Sequence, residues 1–343
     1  MNNRWKTFIE SLSADNNQGP GAKSGISDTN LQCALVDLSH LGLIRVSGED
    51  ARDFLQGQFT NDIREVSSCH YQLSSYCTPK GRMLANFLLF ERDGNIYLQL
   101  PEDTLPVVIK RLPMFVLMSK VSIEDVSDQL VRIGLVGDCA QSLLNGQFPS
   151  LPESAGEVLE ANGTTLLRLP GAEPRFELLA APEDMIKLWG KLSETASQVG
   201  ADYWALLDIR AGIPTIYGAT TEAFVPQMTN MQAINGVSFT KGCYTGQEVV
   251  ARMKYLGKLK RRMYLASVDS DMPPQKGQEL FSTGSESGQG AGKIVDARPS
   301  PDGGYELLAV VEISRAEADD LHLGGIHGPR LRFLQLPYGL EQD

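Results

Sequence analysis

The chain has 343 residues, 42% hydrophobic and 21% charged, and a net charge of −11. That length suits two or three domains with real cores, and the composition is that of an ordinary globular protein. The acidic balance argues against binding nucleic acid over the whole surface. No apolar run nears the ~18 residues of a membrane span and the first residues carry no secretory pattern, so a cytoplasmic protein without membrane contact is expected.

From the N-terminus, a short helix is expected around Trp5–Leu12, followed by a polar, glycine-containing connector. Residues 1–29 therefore read as a mobile extension. CALVDLSHLGLIRVSG alternates as two strands, and SGEDARDFLQGQFTNDI has helical spacing. Strands follow at Tyr71–Thr78, Met83–Glu91 and Ile96–Leu100, joined by the turns Pro79-Lys80-Gly81 and Asp93-Gly94.

A second unit is expected from Leu105 to residue 201. It reads as strand QLVRIGLVG, helix DCAQSLLNG, a hairpin around Asn162-Gly163, strand RFELLA and a helix from Pro182 whose Met185, Leu188, Trp189 and Leu192 share one face. That order suggests an α+β layer of ferredoxin-like kind. Tyr203–Ala211 reads as a helix ended by Gly212 and Pro214, and from about Lys258 short strands between turn clusters suggest a small β-barrel or sandwich.

The five cysteines, Cys33, Cys69, Cys77, Cys139 and Cys243, form no C-x-x-C pair, and their odd count argues against a disulfide framework. The four histidines lack metal-ligand spacing, so no metal site is expected. Four of the cysteines sit in apolar alternating segments and read as core. Cys243 differs, because it lies in FTKGCYTGQEVVAR beside Lys241 and between Gly242 and Gly246. Thr245 and Glu248 have capping-box spacing, which predicts a helix start just after Cys243. A helix N-terminus and a nearby ammonium would both favour the thiolate. A small buried cysteine is the plainer alternative. From Arg252 to Arg262 six of eleven residues are Lys or Arg; this reads either as a solvated face or as a contact for a polyanion, RNA or a multiply carboxylated ligand.

KGCYTGQE at Lys241–Glu248 resembles the signature of the folate-binding YgfZ family, which is related to the aminomethyltransferase (T-protein) of the glycine cleavage system. FLQGQFTNDI at 54–63, TPKGRML at 78–84, GIPTI at 212–216, FVPQMTNMQAINGVSFTKG at 224–242 and LPY at 336–338 extend the resemblance over roughly residues 30–340. It implies an α+β, three-domain T-protein-like ring around a channel for tetrahydrofolate. Its parts would be a discontinuous first domain (30–104 plus 202–256), a ferredoxin-like second domain (105–201) and a C-terminal β-barrel (257–340).

The same resemblance implies support of iron–sulfur cluster assembly or repair and of iron–sulfur-dependent tRNA modification, with iron–sulfur proteins or tRNA-modifying enzymes as partners. Lys241 and Cys243 match the family's functional lysine and cysteine, and Gly242, Tyr244, Thr245, Gly246, Gln247 and Glu248 complete the motif. Glu177 in RFEL resembles the T-protein glutamate that grips the pterin, with a solvent-facing strand residue as the plainer reading. Tyr244, Gln247 and Arg252 are the further candidates for folate contact. Where T-proteins carry adjacent aspartates this chain has Ala85 and Asn86, neither of which can act as a carboxylate base. An accessory role is therefore favoured over the alternatives, a one-carbon transferase or a tRNA-binding module.

Overall fold

A computed structural model describes residues 1–15, 32–255, 257, 259–284 and 290–340. Three sheets organise the chain. The first is antiparallel, in the order Gln72–Cys77, Met83–Arg92, Asn95–Pro101, Leu41–Ser47, Ser122–Asp125. One of its faces, with Ile44, Val46, Phe87, Leu89 and Leu98, is covered by the helices Ala51–Gln56 and Leu105–Arg111. The other face, with Leu43, Leu88, Phe90 and Tyr97, packs against the second sheet. Period-2 alternation along these strands separates the two cores.

The second sheet runs Ser197–Val199, Ala34–Asp37, Val131–Val136, Arg175–Ala180, Thr164–Leu169, Val158–Ala161. The expected strand, helix, three strands and helix are all present between Val131 and Leu192. Asn162 and Gly163 both take positive φ (53° and 75°), as a tight hairpin requires. Ile133, Leu135, Phe176 and Leu178 face the helices Ala140–Asn145 and Pro182–Leu192, whereas Val136, Leu167 and Leu179 face the first sheet. The third sheet, a half-barrel, runs His322–Leu323, Glu279–Phe281, Gly292–Pro299, Tyr305–Glu312, Arg261–Val268, Arg332–Leu334.

Several expectations change. The helix at the N-terminus spans Asn3–Asp15 and is docked, not mobile: Trp5 is 0% exposed, packs edge-on against Trp189 and donates its indole N–H to Asp37 Oδ1 at 3.0 Å. The rest of the expected extension, from residue 16, lies outside the described residues. The helix after Ser47 is limited to Ala51–Gln56, and Ile63–Glu65 forms a separate 3-10 turn capped by Asp62. Leu105–Arg111 and Ser122–Asp125 belong to the first layer and Ala34–Asp37 to the second. The chain thus crosses between layers after Asp125, later than a break at Leu105. Cys33 and Cys139 form a disulfide with Cα atoms 5.6 Å apart, against the expectation of unpaired cysteines. Sheet register explains the pairing: Ala34 lies opposite Val136, so the residues just beyond those strand ends meet. Cys69 is exposed on a turn instead of buried in a core; Cys77 is buried as expected.

Candidate functional site

A cavity of about 1120 Å³ lies between the first two sheets and the segment that follows the last strand, lined among others by Leu73, Arg175, Arg210, Asn235, Phe239 and Tyr338. A smaller cavity of about 110 Å³ shares Tyr71, Leu73, Pro170 and Ile213 with it and reaches Gln99, Trp204 and Glu177. The larger volume slightly exceeds the usual range of about 300–1,000 Å³ for small-molecule sites.

Alternation along Arg175–Ala180 turns Arg175, Glu177 and Leu179 toward this junction while Phe176 and Leu178 fill the helical core. Glu177 is 1% exposed and its Oε2 accepts from Gln99 Nε2 at 3.0 Å; its Oε1 is enclosed and has no partner among the described residues. Burial pushes the carboxyl up to about 7, and hydrogen bonding from Gln99 and the charge of Arg132 oppose that shift. Arg175 donates to Asp208 Oδ1 at 2.5 Å and lies 4.3 Å over the Trp204 ring, while its Nε and Nη1 are enclosed without hydrogen-bond partners among the described residues. Trp204 can sit there because Gly134 has no side chain: a Cβ would come within 2.4 Å of the ring.

Asn86 also lines the smaller cavity, but its amide is engaged by backbone. Nδ2 donates to Pro214 O at 2.7 Å, and Oδ1 accepts from Ile216 N at 2.8 Å. The amide thus fixes the Gly212–Ile216 segment, and Tyr338 OH closes the same corner by donating to Gly212 O at 2.8 Å. Ala85 is buried.

The Lys241–Glu248 loop is held from below. Lys241 is 5% exposed and its Nζ donates to Phe59 O at 2.7 Å and Asn61 O at 2.8 Å. Burial lowers its ammonium to about 8, and the Asp62 charge opposes the shift. Thr60 Oγ1 donates to Gly236 O at 2.9 Å and Asn61 Nδ2 to Asn235 O at 2.6 Å, so residues 59–61 clasp the whole segment leading to the motif. The helix starts at Gln247, later than the capping-box spacing implies, because Gly246 takes φ 85° and packs on the Thr78–Gly81 turn. A Cβ at Gly246 would lie 2.5 Å from Thr78 O, a position only glycine fills. No side-chain cap bond joins Thr245 to Glu248 among the described residues. Cys243 is exposed on this loop.

Residues 16–207 match the GCVT N-terminal domain. The chain is 35% identical over 278 residues to the tRNA-modifying protein YgfZ of Colwellia psychrerythraea, covering 81% of this chain and 85% of that one. It is 34% identical over 322 residues to the tRNA-modifying protein YgfZ of Yersinia pestis, covering 94% and 97%. This chain belongs to the YgfZ family. Among solved structures, the glycine cleavage system aminomethyltransferase T of Bartonella henselae superposes with a TM-score of 0.69 at 17% identity, over 90% of this chain and 86% of that one. At that identity the likeness concerns the fold, which is T-protein-like.

Of the residues that the YgfZ resemblance singled out, Glu177 lines the smaller cavity, while Lys241, Gly242, Cys243, Tyr244, Gln247 and Arg252 line neither; the larger cavity's wall reaches Thr240. Tyr244 is buried among Cys77, Met83 and Val250, with Lys241 Nζ 5.1 Å from its ring centre. Arg252 is exposed on the helix, Arg261 pairs with Glu312 at 3.0 Å, and Lys258 lies outside the described residues. Gln99 and Arg175 were not singled out from sequence. The available signal was a polar side chain interrupting the apolar run IYLQL, and a cation two residues before Glu177 on the same strand face.

Proposed function

We propose that this chain is a folate-binding accessory factor for tRNA modification, acting through iron–sulfur-dependent steps with Cys243 as its reacting thiol. One observation carries the folate reading: the enclosed Glu177 keeps an oxygen without a donor among the described residues, beside a cavity that shares four lining residues with a larger one. A buried acceptor of this kind is costly unless a ligand N–H meets it, and the edge of a reduced pterin carries such donors. The matched GCVT domain supports folate, and the relatives described as tRNA-modifying proteins support a link to tRNA modification.

Bound tetrahydrofolate would supply a carrier for one-carbon units. Glu177 and Gln99 hold the heterocycle, and the larger cavity houses the rest of the molecule. Lys241 acts by fixing the motif loop, and Cys243 remains accessible for a partner. Aminomethyl transfer is disfavoured, because Asn86 is engaged in clamping the Gly212–Ile216 backbone and Ala85 has no acid–base group.

Tetrahydrofolate titration tests the reading: Glu177→Ala should weaken binding at least about tenfold relative to wild type. A wild-type protein that binds no tetrahydrofolate ends it. For the cellular role, deleting the gene should lower tRNA thiomethylation and the activity of several iron–sulfur enzymes. Cys243→Ala should reproduce much of that loss, and full complementation by this variant would refute the thiol's part.

A further inference from the structure

The basic strip that follows the Lys241–Glu248 motif takes no part in the folate site: Arg252 and Lys254 line neither cavity. On a chain of net charge −11, the stretch from Arg252 to Arg262 holds six cations and no acid. Such a strip concentrates positive potential on one part of an acidic body.

Its first residues form the last turn of the helix Gln247–Tyr255. Arg252, Lys254 and Tyr255 are exposed there, Tyr255 by 66%, and Lys260 is exposed just before the strand Arg261–Val268. Tyr255 meets the Phe239 ring edge-on with centroids 6.4 Å apart, and Lys254 Nζ lies 5.4 Å from the centre of that same ring. Phe239 in turn lines the larger cavity, so aromatic surface runs from the cavity wall out to solvent with a cation upon it. Earlier in the helix, Val249 packs on Gly81, which brings the exposed Lys80 of the neighbouring turn to the same element. Arg261 is set apart by its pairing with Glu312.

Exposed cations spaced around a flat ring match the needs of a single nucleic-acid strand, whose phosphates meet the cations while an unstacked base lies on the ring. A carboxylate-rich polypeptide would use the cations but brings no base to the Tyr255 face. A duplex offers phosphates but keeps its bases stacked on one another. We infer that this face binds a single strand of RNA, with Tyr255 stacking an unpaired base and Arg252, Lys254, Lys260 and Lys80 taking phosphates. A strand so placed lies along the helix that follows the loop of the exposed Cys243. The inference rests on the role in tRNA modification for the choice of RNA over other polyanions, and it gives that role a direct contact.

The experiment is fluorescence-anisotropy titration of the full chain with a labelled, unstructured RNA of about 12 nucleotides, between about 50 and 200 mM salt. Three or four phosphate contacts predict that log affinity falls with log salt at a slope of about −2 to −3, and Lys260→Ala should flatten it. Tyr255→Ala should weaken binding at least about fivefold, whereas Tyr255→Phe, which keeps the ring, should not. Tyr255 is exposed, so both variants keep the fold. The same RNA annealed to its complement should bind more weakly than the single strand. No binding at the lower salt overturns the inference, as does equal affinity of wild type and Tyr255→Ala. Poly-L-glutamate bound as tightly as the RNA would assign the face to an acidic protein and overturn the RNA contact. Gene deletion separates this from the wider reading. Normal tRNA thiomethylation with RNA binding intact removes the role and leaves the contact; lowered thiomethylation without RNA binding removes the contact alone.

Discussion

Glu177 and Cys243 stand in opposite surroundings. The carboxylate is sealed between two sheets, bonded to Gln99 and raised to about 7 by burial; the thiol is exposed on a loop whose neighbours carry the structural contacts. What a group at the seam can do is set by the dielectric and the partners around it, so changing it alters stability and recognition together. What the loop thiol can do is set by access, so changing it should alter function alone.

The largest expected effect tests the sealed end of this contrast. The folded protein raises Glu177 from 4.5 to about 7, so between those values it holds more protons than the unfolded chain. Stability contributed by the neutral acid is present below pH 4.5 and is lost as pH rises to about 7, on the order of 3 kcal/mol. Chemical denaturation across this range should show the loss, and Glu177→Gln should flatten it. An unchanged profile in the variant would mean that the carboxyl is not sealed. Next, Gly246→Ala should cost about 2 kcal/mol or more, since it adds a Cβ against Thr78 O at a positive φ; an unaltered denaturation midpoint would show that the loop is not seated on the turn. Lys241→Met removes two donors from buried carbonyls and should destabilise by about 1–2 kcal/mol. Smallest of all, Cys243→Ser should change stability by less than about 0.5 kcal/mol. A large loss there would erase the contrast between the two regions.

Much of the frame was legible. The Asn162-Gly163 hairpin and the helix from Pro182 follow from local chemistry that tertiary contacts reinforce. Resemblance supplied Glu177, while alternation alone left it equally readable as a solvent-facing residue. Gln99 was missed because its partner is 78 residues away and on another sheet. The Cys33–Cys139 pairing escaped for the same reason, being created by strand register across 106 residues. The capping-box reading failed at Gly246: sequence spacing matched, but a glycine's steric fit against a distant turn decided where the helix begins.

Gly246 has one more consequence. Because the motif is seated by bare main chain against the Thr78–Gly81 turn and by the inward-facing Lys241, the exposed Cys243 sulfur carries no architectural duty among the described residues. Anchorage and chemistry are thereby decoupled within a single octet. The sulfur could be oxidised, alkylated or exchanged for another group while the surrounding scaffold keeps its shape.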